Sequence, residues 1–139
     1  MEMLSNNYLA LGLVVTLISC AGCDPRDFLP IPGAEVIQPP TESLVTSPVY
    51  FEMDAKHWEI VPASEAGERA GYFVIILNEE CLDEGELVPF DGPYVHLQDG
   101  SFSAWLDLLP GRYEACLQIA TGRHRATRLT DKVVFEVVD

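Results

Sequence analysis

The chain has 139 residues, of which 48% are hydrophobic, and this composition excludes general disorder and fits one domain of about one hundred residues. Its 22 acidic residues outnumber its 8 basic residues, and the resulting net charge of −14 excludes nucleic acid as a partner and opposes docking of the domain on anionic lipid. The simplest interpretation of the acidity is a solvated surface that keeps the domain soluble.

The first feature in chain order is the apolar run Leu9–Cys23, which contains no Lys or Arg. Its tetrapeptide Leu17-Ile18-Ser19-Cys20 resembles a bacterial lipobox, in which Cys20 receives a diacylglyceryl group and becomes the mature N-terminus. The second interpretation is a retained anchor, although about 15 residues span roughly 22 Å as a helix, less than the ~30 Å bilayer core. The third is an ordinary secretory signal, although no Lys or Arg precedes the run. All three interpretations place the domain outside the cytoplasm.

Residues 24–48 are rich in proline and predict an extended, semi-rigid linker between the leader, residues 1–23, and a folded domain, residues 49–139. The linker carries more apolar residues than a spacer needs. Among these, Phe28, Leu29 and Ile31 are predicted to contact a partner or the domain itself.

From Ser47 onward, short and roughly alternating apolar runs are separated by turn residues, a pattern typical of antiparallel β-structure. Helical periodicity over three turns is absent after residue 40. About seven strands in some ninety residues predict an all-β fold, an immunoglobulin-like antiparallel β-sandwich preceded by the apolar N-terminal helix and the linker. The predicted strands are Val49–Ala55, Trp58–Val61, Gly71–Leu77, Tyr94–Leu97, Ser101–Leu106, Arg112–Ala120 and Lys132–Val138.

The strand Arg112–Ala120 gives the clearest face assignment. Tyr113, Ala115, Leu117 and Ile119 share one face, whereas Glu114, Cys116 and Gln118 share the other. The turn Leu109-Pro110-Gly111 before Tyr113 is similar to the tyrosine corner of such sandwiches.

Cys81 and Cys116 lie far apart in the domain and are predicted to form a disulfide in an oxidising compartment. Because Cys116 falls on the outward face of its strand, the segment that carries Cys81 would have to fold over that face. The Cys20-x-x-Cys23 spacing lacks the second ligand pair that a zinc site needs.

A polar loop is predicted at Thr121–Asp131, and it holds three arginines and His124. Two interpretations of Arg123, Arg125 and Arg128 stay open. They pair with the acidic loop Glu79–Glu86, or they bind an acidic partner.

Several segments together resemble a family of secreted bacterial proteins known as domain-of-unknown-function family 4399, over about residues 44–138. The resemblance rests on segments 46–51, 71–78, 85–89, 96–101 and 109–113, in this order and spacing. A Gly-His-His-His-Leu-like strand and a later His-Phe-Gly-like segment are typical of the family and imply a polar or metal-binding site. In this chain the first segment reads Gly71-Tyr72-Phe73-Val74, and His96 alone keeps a matching place.

The remaining chemistry indicates a protein that is not an enzyme. His57, His96 and His124 lie in three segments without closely spaced partners, and no serine has a Gly-x-Ser-x-Gly context. We therefore expect a non-catalytic module without a cofactor, apart from a lipid on Cys20.

The predicted role is that of an accessory or interaction subunit of an envelope or membrane-protein complex. The module would be anchored by its N-terminus on the periplasmic or cell-surface side of a bacterial membrane. The alternative is a periplasmic ligand- or metal-binding module that uses His96 with His57 or His124.

Overall fold

The computed structural model of the protein describes residues 30–139, and within this range the chain forms nine β-strands and one short 3-10 helix, Ala63–Glu65. The strands are β1 (Gly33–Gln38), β2 (Ser43–Thr46), β3 (Val49–Lys56), β4 (Glu59–Ile60), β5 (Ala70–Leu77), β6 (Tyr94–His96), β7 (Ser103–Leu106), β8 (Gly111–Ala120) and β9 (Ala126–Val138).

The strands form two sheets. The small sheet has the order β1-β3-β7, and the large sheet has the order β2-β9-β8-β5-β4, with β6 also paired to β5. This division of strands confirms the predicted immunoglobulin-like sandwich. The pairing is antiparallel except at β2–β9 and β4–β5, which are parallel, and the described strands number nine rather than seven.

Side chains that alternate along β3, β5, β8 and β9 fill the space between the sheets. The aromatic centre of this core is an edge-to-face contact of Phe51 with Phe135, at 5.7 Å between ring centroids. Each such fully buried side chain stabilises the fold by about 1.5–3 kcal/mol. The buried members of the core are Val49, Phe51, Met53, Phe73, Ile75, Leu97, Ala115, Leu117, Ile119, Leu129, Val133, Phe135 and Val137.

The linker prediction is wrong for residues 33–46, which form β1 and β2. β1 pairs antiparallel with β3, and β2 pairs parallel with β9. The prolines do not prevent this, because Pro39 and Pro40 lie between the two strands, where no ladder hydrogen bond is lost. Of the three predicted partner contacts in the linker, Ile31 is 84% exposed just before β1, whereas Phe28 and Leu29 lie outside the described residues.

The predicted polar loop is shorter than expected, because β9 begins at Ala126 rather than at residue 132. Pairing with β8 continues through Gln118 opposite Thr130, and the Thr127 hydroxyl donates to the carbonyl oxygen of Ile119 at 2.7 Å. The first part of β9 is rich in polar side chains, so the hydrophobicity pattern does not identify it as a strand. The loop reduces to the turn 121–125, and Arg128 lies on a strand.

The large sheet is buried on both faces around β5. Phe73 and Ile75 face the small sheet, while Tyr72, Val74 and Ile76 lie under the loop that joins β5 to β6, residues 78–93. A sheet covered on both faces explains the continuous apolar sequence of β5.

The disulfide between Cys81 and Cys116 confirms the predicted pairing and fixes the loop 78–93 over the outer face of β8. Gln118, also buried, adds three hydrogen bonds beside it. Its amide nitrogen donates to the carbonyl oxygens of Leu82 and Thr127, and its oxygen accepts from the Leu82 N–H. The loop is therefore a second structural layer rather than a free connection.

The predicted tyrosine corner is present. The Tyr113 hydroxyl donates to the carbonyl oxygen of Leu109 at 2.8 Å, and the Tyr113 ring stacks on Phe135. This contact closes the turn between β7 and β8 onto the core.

The leader, residues 1–23, lies outside the described residues, and so does the lipidation prediction at Cys20. Among residues 30–139, no helix has the length and apolar character needed to cross a bilayer.

Candidate functional site

Two of the three histidines meet at one tyrosine on the outer face of the large sheet. β6 runs antiparallel to β5 and places His96 opposite Val74, while the turn 121–125 places His124 beside the end of β8, where Ala120 pairs with Tyr72. The Tyr72 hydroxyl is 2.9 Å from Nδ1 of His96 and 2.7 Å from Nδ1 of His124. We call Tyr72, His96, His124 and Phe90 the histidine–tyrosine cluster.

The hydrogen-bond partners assign the protons of the cluster when both imidazoles are neutral. Nε2 of His96 lies 2.7 Å from the carbonyl oxygen of Pro89, which accepts only, so this nitrogen carries the proton. Nδ1 of His96 then accepts from the Tyr72 hydroxyl, and Nδ1 of His124 donates to the same oxygen. The result is a directed chain of hydrogen bonds from His124 through Tyr72 and His96 to the loop 78–93.

Phe90 covers the cluster from the loop 78–93. Its ring stacks on His96 at 4.4 Å between centroids and meets His124 edge-on at 4.8 Å. The loop is held in this place by backbone pairing with the turn, since the Val88 N–H donates to the carbonyl oxygen of His124 at 2.8 Å. Phe90 remains 57% exposed, so the cluster lies just below the surface.

Tyr72 is itself completely buried. This burial raises the pKa of Tyr72 to about 12. The phenol is therefore neutral at physiological pH and acts as a hydrogen-bonding group between the two imidazoles.

His57 lies elsewhere, in the exposed turn between β3 and β4, with a positive φ of 53°. Its carbonyl oxygen accepts from the Arg69 guanidinium at 3.2 Å. Of the two predicted histidine pairs, the structure brings together His96 with His124 and separates His96 from His57.

The described residues contain no group of three His, Cys, Asp or Glu side chains that could hold a metal ion. Both ring nitrogens of His96 are within hydrogen-bond distance of protein atoms, and so is Nδ1 of His124. A metal ion that bound to His96 would have to replace one of these hydrogen bonds.

The predicted basic residues separate into two groups. Arg123 and Arg125 line an open cavity of about 420 Å³ together with residues 66–68, whereas Arg128 is exposed on β9 and does not line it. The acidic loop instead forms an ion pair with Lys132, whose Nζ lies 3.0 Å from Oε2 of Glu80. Arg125 contacts that loop through the carbonyl oxygen of Gly85, at 3.4 Å, rather than through a carboxylate. Pairing of the arginines with the acidic loop is therefore not observed within residues 30–139.

The structure also shows a surface aromatic pair that the sequence pattern did not single out, formed by the half-buried Tyr50 and the exposed Trp105. Tyr50 of β3 and Trp105 of β7 are directly opposite each other on the outer face of the small sheet, with ring centroids 4.8 Å apart. Trp105 is 67% exposed. Strand alternation carried the signal, because Val49 and Phe51 point inward and Tyr50 must then point outward.

These features define a disulfide-bonded all-β domain of the immunoglobulin-like type, with a covered outer face and a histidine–tyrosine cluster at its edge. The chain belongs to the family described as Domain of unknown function (DUF4399), which matches residues 51–138 and so more than half of the chain. The comparisons found no match among curated proteins and none among solved structures. The matched residues include all four members of the histidine–tyrosine cluster.

Proposed function

We propose that the chain is a non-catalytic interaction module that works outside the cytoplasm, held at a membrane by its N-terminus, as an accessory subunit of a membrane-protein or envelope complex. The observation that carries the proposal is the contact of the half-buried Tyr50 with the exposed Trp105 on the outer face of the small sheet. Large aromatic residues are enriched at protein interfaces, where burial of a Trp and a Tyr supplies much of the binding energy.

The surroundings of this pair indicate the chemistry of the partner. Glu52 and Asp54 follow Tyr50 on the outward side of β3, and Ile37 of β1 is 42% exposed on the same face. Glu35 on β1 is paired with Lys56 at 3.2 Å, whereas Glu52 and Asp54 have no cationic partner in the part of the chain that the structure describes. A complementary partner surface would present an apolar pocket flanked by basic side chains.

Two further features support the compartment. The Cys81–Cys116 disulfide is typical of proteins in oxidising compartments. The apolar run Leu9–Cys23 supports delivery across a membrane and attachment to it, with Cys20 as the residue that would receive the lipid.

The test uses the full chain in its native membrane, solubilised with a mild detergent and separated by native electrophoresis. We expect the wild-type protein to migrate in a larger complex. The double variant Tyr50→Ala/Trp105→Ala should be at least about tenfold depleted from that complex. Leu44→Ala is the matched control, because Leu44 is 70% exposed on β2 of the other sheet. Migration of the wild-type protein alone, or equal depletion by the control, contradicts the proposal.

A second candidate function is supported by the convergence of His96 and His124 on Tyr72. It is a ligand- or metal-binding module in which these three side chains form the site. Metal analysis of the purified protein tests it with His96→Ala, and His57→Ala is the control because His57 lies outside the cluster. Bound metal that survives His57→Ala and disappears in His96→Ala supports the second function, and an absence of bound metal in the wild-type protein contradicts a metal role.

A further inference from the structure

We propose that the cavity between residues 66–68 and the turn 121–125 binds a small zwitterion, such as a free amino acid or a short peptide. We call this cavity the arginine groove. The carboxylate of the ligand would bind to Arg123 and Arg125, and the ammonium group of the ligand would bind to Glu68, which lines the same cavity. This site is separate from the aromatic pair on the small sheet and does not depend on the proposed function.

The first argument is that the two arginines have no carboxylate partner in the described part of the chain. In a chain of net charge −14, each cation has carboxylates to choose from, and Lys56, Arg112 and Lys132 each lie within 4 Å of one. Within residues 30–139 no such pair forms for Arg69, Arg123, Arg125 or Arg128, and of these only Arg123 and Arg125 lie on one turn and line the same cavity. A guanidinium group presents paired donors that match the two oxygens of a carboxylate.

The second argument is that the turn is held in one conformation before any ligand binds. The Thr121 hydroxyl oxygen accepts from the N–H groups of Arg123 and Arg125, at 3.3 and 3.2 Å, and the His124 N–H donates to the Thr121 carbonyl oxygen at 2.9 Å. At Gly122 the turn lies directly against the 3-10 segment, because a Cβ there would be 2.6 Å from the carbonyl oxygen of Ala63. Little ordering is therefore needed at the backbone when a ligand binds.

The third argument is selectivity. Glu68 shares the groove with the arginines and has no cationic partner in the described part of the chain. The Glu68 carboxylate repels a dianion such as phosphate and attracts an ammonium group. The cavity is open to solvent, and its volume of about 420 Å³ leaves room for a dipeptide between these side chains.

The experiment is a titration of the ¹⁵N-labelled full-length protein in detergent micelles, followed by amide chemical shifts. The probes are glycylglycine, acetate and inorganic phosphate. We expect saturable shifts with glycylglycine at residues 66–68 and 121–125, and weaker binding of acetate and phosphate. Tighter binding of phosphate than of glycylglycine, or no saturable shift with glycylglycine, overturns the proposal.

Three variants assign the charges. Arg123→Gln should weaken glycylglycine binding by about tenfold, because a charge-assisted hydrogen bond is lost. Arg128→Gln makes the same charge change outside the groove and should alter the affinity by less than about twofold. Glu68→Gln should weaken binding of glycylglycine and strengthen binding of acetate. The Glu68 carboxylate attracts the ammonium group of glycylglycine and repels the carboxylate of acetate.

Because Arg123 uses its backbone rather than its guanidinium group to stabilise the turn, Arg123→Gln leaves these hydrogen bonds intact. Unchanged amide shifts outside the groove confirm that this variant is folded. Equal losses in Arg123→Gln and Arg128→Gln overturn the proposal, and so does a Glu68→Gln variant that binds both probes as the wild-type protein does.

Discussion

At the residue scale, the histidine–tyrosine cluster shows how a buried polar group is satisfied in this fold. The Tyr72 hydroxyl is buried beneath the loop 78–93 and would be costly there without partners. The imidazoles of His96 and His124 are these partners. His96 also donates a hydrogen bond from Nε2 to the Pro89 carbonyl oxygen in the loop. The cluster therefore connects β5, β6 and the turn 121–125 to the covering layer.

The raised pKa of Tyr72 predicts a loss of stability in alkaline solution. The phenol titrates near pH 10 in the unfolded chain and at about 12 in the folded one, so unfolding between these values releases a proton. The stabilisation that the neutral Tyr72 phenol provides is complete below pH 10 and is lost as the pH rises to about 12. The free energy of unfolding should therefore decrease by about 2–3 kcal/mol over this range. Urea unfolding at a series of pH values from 9 to 12 measures this slope.

Tyr72→Phe is the control for this pH dependence. The variant should be less stable at neutral pH and should lose less stability between pH 10 and 12. The pKa of Lys132 is also raised, by hydrogen bonding to Glu80, but this contribution is common to both proteins and leaves their difference unchanged. Parallel curves for the two proteins would show that Tyr72 does not cause the alkaline loss.

At the element scale, the loop 78–93 behaves as part of the sandwich because three kinds of bond hold it. These are the disulfide, the hydrogen bonds of Gln118 with Leu82, and the bridge between Leu87 and Arg125. Val88 and Leu82 pack with the outward side chains of β5, Tyr72, Val74 and Ile76, beneath the loop. A connection of this length is stable here because it closes over an apolar sheet face rather than over water.

Removal of the disulfide should destabilise the protein and release the loop. The two cysteines are 35 residues apart, and a cross-link of this span stabilises by roughly 3–4 kcal/mol in the chain-entropy model. We expect this decrease in the free energy of unfolding for Cys81→Ala/Cys116→Ala, with earlier proteolytic cleavage within residues 78–93. Chemical reduction of the wild-type protein should reproduce both effects. Unchanged stability in the reduced protein would contradict this account of the loop.

At the scale of the whole molecule, β1 and β2 complete the two sheets from a segment whose proline content predicts a linker. Ala34, Val36 and Val45 pack against the main core, and the Val36 N–H donates to the Asp131 carboxylate at 2.8 Å. These strands also cover one edge of β3 and one edge of β9, which would otherwise be free to pair with another chain.

Truncation experiments test where the domain begins. A chain of residues 49–139 should lose about 4 kcal/mol of stability, because it loses the burial of two valines and exposes two sheet edges. A chain of residues 30–139 keeps both strands and is the reference for this loss. Thermal and urea unfolding measure the stability of both truncated chains, and light scattering detects edge-to-edge association of the shorter chain. Equal stability of the two truncated chains would show that β1 and β2 are dispensable.

The sequence by itself determined the features that depend on neighbouring residues. Alternation along Arg112–Ala120 assigned its two faces correctly, since side chains on a strand alternate whatever the strand pairs with. The apolar sequence of β5 and the Pro-Gly turn before Tyr113 likewise predict their local structures. Because Cys116 was assigned to the outward face, the covering of that face by the segment of Cys81 followed from the same local pattern.

The tertiary structure alone decided the features that depend on distant pairing. β1 and β2 are strands because β3 and β9 supply hydrogen bonds across the fold, and their short, proline-flanked sequences carry no such information. The same holds for the choice of His124 over His57 as the neighbour of His96, because that choice depends on the register of β5 with β6 and β8. A shift of one residue in either pairing would turn Tyr72 or His96 to the opposite face, so the cluster exists only in the assembled sheet.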